Sequence, residues 1–334
     1  MALEPKSVRR EDNQMAETAE KRYILDAQAA AYVEDPLWRW RGLMRMARDL
    51  LRDKVALTGS VIVLVVLMSA VFASFISPHD PAAGNIGQRL QPPGFVNEEG
   101  ERYILGTDQQ GRDILSRLFH GARVSMAVGI GVIAVAGTVG TILGLVSGYY
   151  AGRVDDIIMR VVDTQTAFPG LLLALVIITM IGPSARNIII VLSINGWMVF
   201  ARITRGIMLT IREKDYIDAA KLVGVSDSGI IFRHAFPNLV SPTLTIITLE
   251  LARVILAEAS LSFLGLGIQP PQASWGLMIA DGRNYITIAW WLVTFPGICI
   301  GVTVFGVMTV ANWLRTVTDP EQRVRAAPAG TGSG

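Results

Sequence analysis

The 334-residue sequence has a single cysteine and three histidines. Cys299 has no second thiol for an internal disulfide, and it sits in an apolar run where a free thiol packs as a small hydrophobe. His79, His120 and His234 are scattered, and no two share a helix at i, i+4, so a zinc enzyme finds no site. No Gly-x-Ser-x-Gly is present to raise a nucleophile on an elbow. Gly265-Leu-Gly267 is not followed by the Gly-Lys-Ser or Gly-Lys-Thr that a phosphate loop needs. Charge is also scarce: 17% of residues are Asp, Glu, Lys or Arg, against about a quarter in a soluble domain. The net charge of +2 is too balanced to suggest a nucleic-acid footprint, which needs a clustered basic face. The charged first 50 residues lack the apolar core of a cleavable signal peptide.

What the sequence has is long apolar runs, with 51% hydrophobic residues. A bilayer core of about 30 Å takes roughly 20 apolar helical residues to cross. Six runs meet that need, giving an all-α polytopic membrane protein with spans at about 55–77, 124–150, 162–184, 187–206, 238–264 and 285–314. Together they form a permease domain over 55–318, with a long loop at 78–122 and a second at 207–237. Six spans place both termini on one side. Basic residues in short loops set that side. Arg39, Arg41, Arg45, Arg48, Arg52 and Lys54 precede the first span, and Arg202, Arg205, Arg212, Lys214, Lys221 and Arg233 lie around the loop 207–237. Arg315 follows the last span. The short opposite loops offer only Arg186 and Arg283, so both termini are expected in the cytoplasm and 78–122 outside.

Residues 1–34 are polar and alanine-rich, with no apolar face to fold on, and read as a mobile cytoplasmic tail. Asp35-Pro36 reads as an N-cap with a first-turn proline. Leu37, Trp40, Met44, Ala47 and Leu51 then recur at helical spacing beside an arginine-rich face. The helix at 35–54 lies on the inner leaflet, or packs without a lipid role. Residues 319–334 read as a second flexible cytoplasmic tail.

Inside the spans, Gly140, Gly144 and Gly148 form a smooth ridge where another backbone can approach closely. Glu250, Arg253 and Glu258 fall within the fifth span, where charge is costly unless paired or in water. Glu250 and Arg253 are three apart and Glu258 is eight on from Glu250, so the three share a side. They either pair internally or line a polar translocation pathway.

The loop 207–237 is too long for a turn and is rich in helix formers. Small Ala219 and Ala220 beside charged Asp218 and Lys221 suit a short helix pressed into another protein's groove. Gly224 permits a sharp exit from such a helix, and Ser226 suits the cap of the next.

The spacing there, Asp218-Ala219-Ala220, three residues, Gly224, then Pro237, resembles the coupling-helix signature of bacterial ABC importer permeases. Asp218 stands for that signature's glutamate, and His234 and Phe236 for its isoleucine and leucine. Leu105-Gly-Thr-Asp-Gln-Gln-Gly-Arg-Asp-Ile-Leu-Ser-Arg with Gly121-Ala-Arg-Val-Ser resembles the segment entering span two in dipeptide and oligopeptide permeases. Ala259-Ser-Leu-Ser-Phe-Leu-Gly-Leu-Gly-Ile-Gln-Pro-Pro with Ser274-Trp275-Gly276 is similar to their loop after span five. Val55-Ala-Leu-Thr-Gly and Ser77-Pro-His-Asp-Pro are similar to the second, C-type member of the permease pair.

The resemblance implies a non-catalytic subunit of an ATP-driven importer of dipeptides or oligopeptides in the bacterial inner membrane. It implies a sibling permease, two ABC ATPase subunits that hold the ATP and magnesium, and an external solute-binding protein. This chain itself would bind no cofactor. Tyr216, Asp218, Ala219, Ala220, Gly224 and Pro237 would meet the ATPase, and Gln269, Pro270 and Trp275 the binding protein. Nickel or another small solute is the rival cargo. An ion-coupled secondary transporter is the rival class, but it calls for internal repeats that this sequence does not show.

Overall fold

The structure, a computed structural model, describes residues 46–318. The tail at 1–34, all but the end of the helix expected at 35–54, and the tail at 319–334 lie outside the described residues. The described residues fall into two units that divide between Lys54 and Val55. In the first, residues 46–52 are helical.

The second unit is a helical bundle. Helix α1 (Lys54–Val71) is followed by the short α2 (Ala73–Ile76). The next segment carries a two-stranded antiparallel hairpin, β1 (Phe95–Val96) and β2 (Arg102–Tyr103), in the register Phe95 to Tyr103 and Val96 to Arg102. Helix α3 (Ile114–Tyr150) has 37 residues, a rod of about 55 Å at 1.5 Å per residue. Its start is set by Asp113, whose carboxylate accepts from the Ser116 amide at 2.8 Å. This satisfies one of the free amides of the first turn and places negative charge at the positive end of the helix.

After α3 come α4 (Gly152–Thr166), α5 (Gly170–Ile181) and α6 (Ala185–Arg212). Next are α7 (Asp215–Leu222), α8 (Asp227–Gly229), a π-helical turn at Ile230–Ala235, and α9 (Phe236–Phe263). The bundle closes with α10 (Trp275–Gly282) and α11 (Trp291–Thr318). Among the described residues, helices α1, α3, α6 and α11 are each long and apolar enough to cross a membrane, and the number of spans is up to six if each of two bent helix pairs is one span.

The expected third span, 162–184, is not one straight helix: α4 and α5 meet at 85°. Pro169 sits between them at the start of α5. Proline disfavours helical geometry at the residue before it, here Phe168. At 12 residues, α5 spans only about 18 Å and cannot cross a 30 Å core alone. The fifth span is also broken, with residues Asp227–Val240 and Pro242–Phe263 meeting at 61°. Pro242 gives no amide to the helix ladder, and its ring crowds the carbonyl one turn back.

The tightest packing is between α3 and α6. A methyl at Gly140 would sit 2.2 Å from the Trp197 carbonyl oxygen, and one at Gly144 would sit 2.5 Å from that of Ala201. At Gly148 it would sit 2.7 Å from Met208 Cβ. The glycine ridge is therefore the seam along which two backbones meet, the small-residue packing used where no hydrophobic effect drives helices together. A second glycine contact joins α1 to α11, with Gly59 against Thr309 and Gly306 against Ile62.

Candidate functional site

Three places in the bundle carry chemistry. One is at the end that holds α7, one lies within α9, and one is at the opposite end, beside the hairpin.

Helix α7 presents one face inward. Ile217 is fully buried and Ala220 nearly so, in a core shared with Leu145 and Tyr149 of α3, Met208 and Ile211 of α6, and Ile230 and Leu239. Tyr216, Asp218 and Ala219 face outward, and Asp218 pairs with Lys221 at 3.0 Å on the exposed side. Exit from the helix is a Schellman turn: the Gly224 amide donates to the Lys221 carbonyl at 3.0 Å and the Val225 amide to that of Ala220 at 3.1 Å. Gly224 adopts φ +83 with nothing near its would-be Cβ. Its requirement is therefore conformational, because an L residue resists that φ.

Ser226 then caps α8, its hydroxyl accepting from the Gly229 amide at 3.3 Å. Pro237 occupies the first turn of α9, where no amide is needed. Asn238 ties the two helices, donating to the Tyr216 hydroxyl at 3.3 Å and to the His234 carbonyl at 2.8 Å.

The same helix carries two residues outside the spacing motif. Leu222 is 89% exposed and Val223 84% exposed at its tip. The sequence signal that marks Leu222 is the inward stripe of Ile217 and Ala220, which at 3.6 residues per turn leaves position 222 on the far side. Two large apolar side chains on a rigid helix end, beside a charged pair, describe a knob for another protein's groove.

Within α9, Arg253 donates to Glu250 at 3.0 Å. The Arg253 side chain remains 72% exposed while that of Glu250 is largely covered. Glu258 does not join them. It is 1% exposed and accepts from Ser125 of α3 at 3.0 Å and from Ser262 at 2.7 Å. The shared side expected for the three charges therefore divides into an open pair and an interior carboxylate. The reason is a partner on another helix, 133 positions away in sequence, which helical spacing cannot reveal. Thr243, Ile247 and Glu250 follow at i, i+4 and i+7. The first two line a cleft of 390 Å³ together with Thr138 and Thr141 of α3, Phe232 and Phe236.

At the hairpin end, Gln269 and Pro270 are exposed. Trp275, expected to share an outer contact with them, is instead 2% exposed. Its indole Nε1 donates to the Leu118 carbonyl at 3.1 Å, and its ring fills the space over Gly121. The physical reason is that α10 folds back into the bundle, so its first residue is a packing anchor. Beside it lies a buried ion cluster that joins three charges of the Leu105–Arg117 segment to Asp281, a pairing the sequence did not reveal. Arg112 Nε meets Asp108 at 2.6 Å, Arg117 Nε meets Asp108 at 3.4 Å, and both guanidinium groups approach Asp281 of α10, at 3.7 and 3.9 Å. Burial pushes the Asp281 carboxyl above its ordinary value, opposed by a hydrogen bond from Gln109 and by the two arginines. Among the described residues, no group of three His, Cys, Asp or Glu side chains is placed to hold a metal ion.

Residues 140–324 match the family described as binding-protein-dependent transport system inner membrane component, and residues 42–93 match the N-terminal TM domain of oligopeptide transport permease C. Among curated relatives, the Di/tripeptide transport system permease protein DppC of Pseudomonas aeruginosa is 37% identical over 269 residues, covering 80% of this chain and 89% of its own length. The Dipeptide transport system permease protein DppC of Alkalihalophilus pseudofirmus is 37% identical over 276 residues, covering 83% and 89%. The Glutathione transport system permease protein GsiD of Pectobacterium atrosepticum is 37% identical over 275 residues, covering 82% and 89%. With four to six helical crossings in its bundle and family matches at 42–93 and 140–324, the chain belongs to the binding-protein-dependent transport system inner membrane components, as a C-type permease.

Proposed function

We propose that this chain is a conduit-forming subunit of an ATP-driven importer of short peptides, and that α7 is where the motor docks. The observation that carries this reading is the exposed tip of α7. Leu222 and Val223 stand out from a helix whose other face is locked into the core of the bundle. Burying a large aliphatic side chain stabilises by about 1.5–3 kcal/mol, so a groove that covered both would hold this helix without a covalent tie. The partner in this reading is one of two ABC ATPase subunits, which hold the ATP and magnesium. A rigid helix fixed by Ile217 and Ala220 can then push on α3 and α6 when the ATPases close.

The sibling permease forms the other wall of the pathway. On this chain the wall is the cleft between α3 and α9, and Glu250, with its partner Arg253, follows Ile247 along the same face of α9. An arginine left open within a span is costly against lipid, by several kcal/mol, and is at home facing water or a polar partner. Glu258, hydrogen-bonded in the interior, serves structure instead. Gln269 and Pro270 face an external solute-binding protein that selects the peptide. Both termini and α7 are then cytoplasmic, and the hairpin end is outside. The relatives' names supply the peptide cargo. Reconstituted with its partners in vesicles, the transporter takes up a labelled dipeptide only when ATP is on the α7 side; uptake driven by an ion gradient without ATP overturns this reading.

A further inference from the structure

Apolar packing fixes α7 on the bundle but has no preferred direction of its own. A directional tie is needed for a push to arrive without slip, and one is present just beyond α7. The Tyr149 hydroxyl, in the last turn of α3, donates to Asp227 Oδ1 in α8 at 2.7 Å. The length is that of a short hydrogen bond to a carboxylate, a class about twice as strong as neutral pairs. The Tyr149 ring is buried in the core that also holds Ile217 and Ala220 of α7. Its backbone is held as well, since Arg212 Nη1, at the end of α6, donates to the Tyr149 carbonyl at 3.2 Å. The link from α7 to α8 is short, with the Schellman turn at Gly224 ending one helix and Ser226 capping the next. A displacement of α7 therefore reaches Asp227 with little give. From Tyr149, α3 runs unbroken to Arg117, which meets Asp108 at 3.4 Å and approaches Asp281 of α10 at 3.9 Å.

We infer that the Tyr149–Asp227 hydrogen bond carries motion of the coupling segment into α3, making the pair positioning residues for the transport cycle. The inference rests on the reading of α7 as the ATPase contact. In the assembled transporter α3 acts as the push rod: its α7 end follows the ATPases through Asp227, and its far end carries the buried ion cluster that holds α10. Along the glycine ridge α3 fits closely over Phe200, Thr204 and Met208 of α6, so the two helices move together.

The test uses the full transporter, with sibling permease and ATPases, in proteoliposomes with a labelled dipeptide, and reads ATP hydrolysed per peptide imported. Tyr149→Phe and Asp227→Ala each remove the bond, and each raises that ratio about tenfold while ATPase co-purification stays at the wild-type level. Asp227→Asn keeps an acceptor oxygen and keeps the ratio near wild type. The double variant Tyr149→Phe with Asp227→Ala is no worse than either single one, as two ends of one interaction require. A merely structural role lowers hydrolysis and uptake together and leaves the ratio unchanged. An unchanged ratio in Asp227→Ala, or additive effects in the double variant, overturns the inference while leaving the α7 docking intact. Failure of the ATPases to co-purify with wild type overturns both.

Discussion

Ser125 on α3 donates its hydroxyl to Glu258 on α9 across 3.0 Å, with both side chains fully buried. The Ser262 hydroxyl donates to the other carboxylate oxygen at 2.7 Å, and the Ser274 hydroxyl meets that of Ser262 at 3.4 Å. A single carboxylate thus gathers polar groups from α3, α9 and the cap of α10. Removing it as Glu258→Ala strands the Ser125 and Ser262 hydroxyls in the interior and costs about 3 kcal/mol. Denaturant or thermal unfolding in detergent measures that loss. Glu258→Gln keeps an acceptor oxygen and loses less, and uptake of charged and neutral peptides changes by the same factor. A change in preference by peptide charge would instead place this residue in the pathway.

Arg253 makes the opposite case. Its guanidinium uses one donor on Glu250 and leaves its side chain open. Arg253→Gln leaves the largely covered Glu250 carboxylate without its cation, so the thermal midpoint falls by more than the loss of an exposed pair, about 0–1 kcal/mol, would give. It also changes the relative uptake of peptides with different net charge. Competition between lysine-containing and glutamate-containing dipeptides reads the effect directly.

Two glycines on facing helices separate steric need from simple helix propensity. Gly140→Ala drives a methyl to 2.2 Å from the Trp197 carbonyl oxygen, so α3 and α6 must part and the folded yield drops, at a cost of 1–3 kcal/mol or more by about the usual range for overpacking. Gly206 lies in α6 with nothing near its would-be Cβ, and Gly206→Ala raises stability by about 0.5–1 kcal/mol. Paired melting curves check both signs.

The ion cluster beneath α10 gives a pH dependence of definite sign. Burial raises the Asp281 carboxyl above its ordinary value of 3.8. The folded state therefore binds this proton more tightly than the unfolded chain does. Its contribution to stability is fully present below the ordinary value and is lost as pH rises through the raised one. Asp281→Asn cannot titrate and flattens that slope, which hydrogen exchange of the α10 amides across the acidic range measures. A slope in the other direction, or one that survives Asp281→Asn, contradicts this account of the cluster.

Much of this arrangement was legible in the sequence because it follows from local rules. Apolar runs coincide with the four helices long enough to cross a membrane, the spacing of Gly140, Gly144 and Gly148 marks the seam with α6, and Gly224 marks the exit from α7. Pro169 is visible in the sequence, yet the uncharged run around it conceals that α4 and α5 part at a large angle. What was not legible depends on distant pairing. Nothing local to Glu258 points to Ser125, and nothing local to Trp275 reveals that α10 folds back so that its indole can reach Leu118. Asp108, Arg112 and Arg117 all lie in the quoted segment entering span two, but Asp281 meets the two arginines only after α10 packs on the start of α3.

Leu222→Asp tests the central claim most directly. At 89% exposure this side chain makes little packing within the chain, so the variant inserts in the membrane and melts as wild type does. ATPase subunits co-purify with wild type, and Leu222→Asp loses them along with ATP-dependent dipeptide uptake. Retention of the ATPases and of uptake by Leu222→Asp, or a wild-type chain that transports without any ATPase bound, would contradict the assignment of α7 as the docking helix.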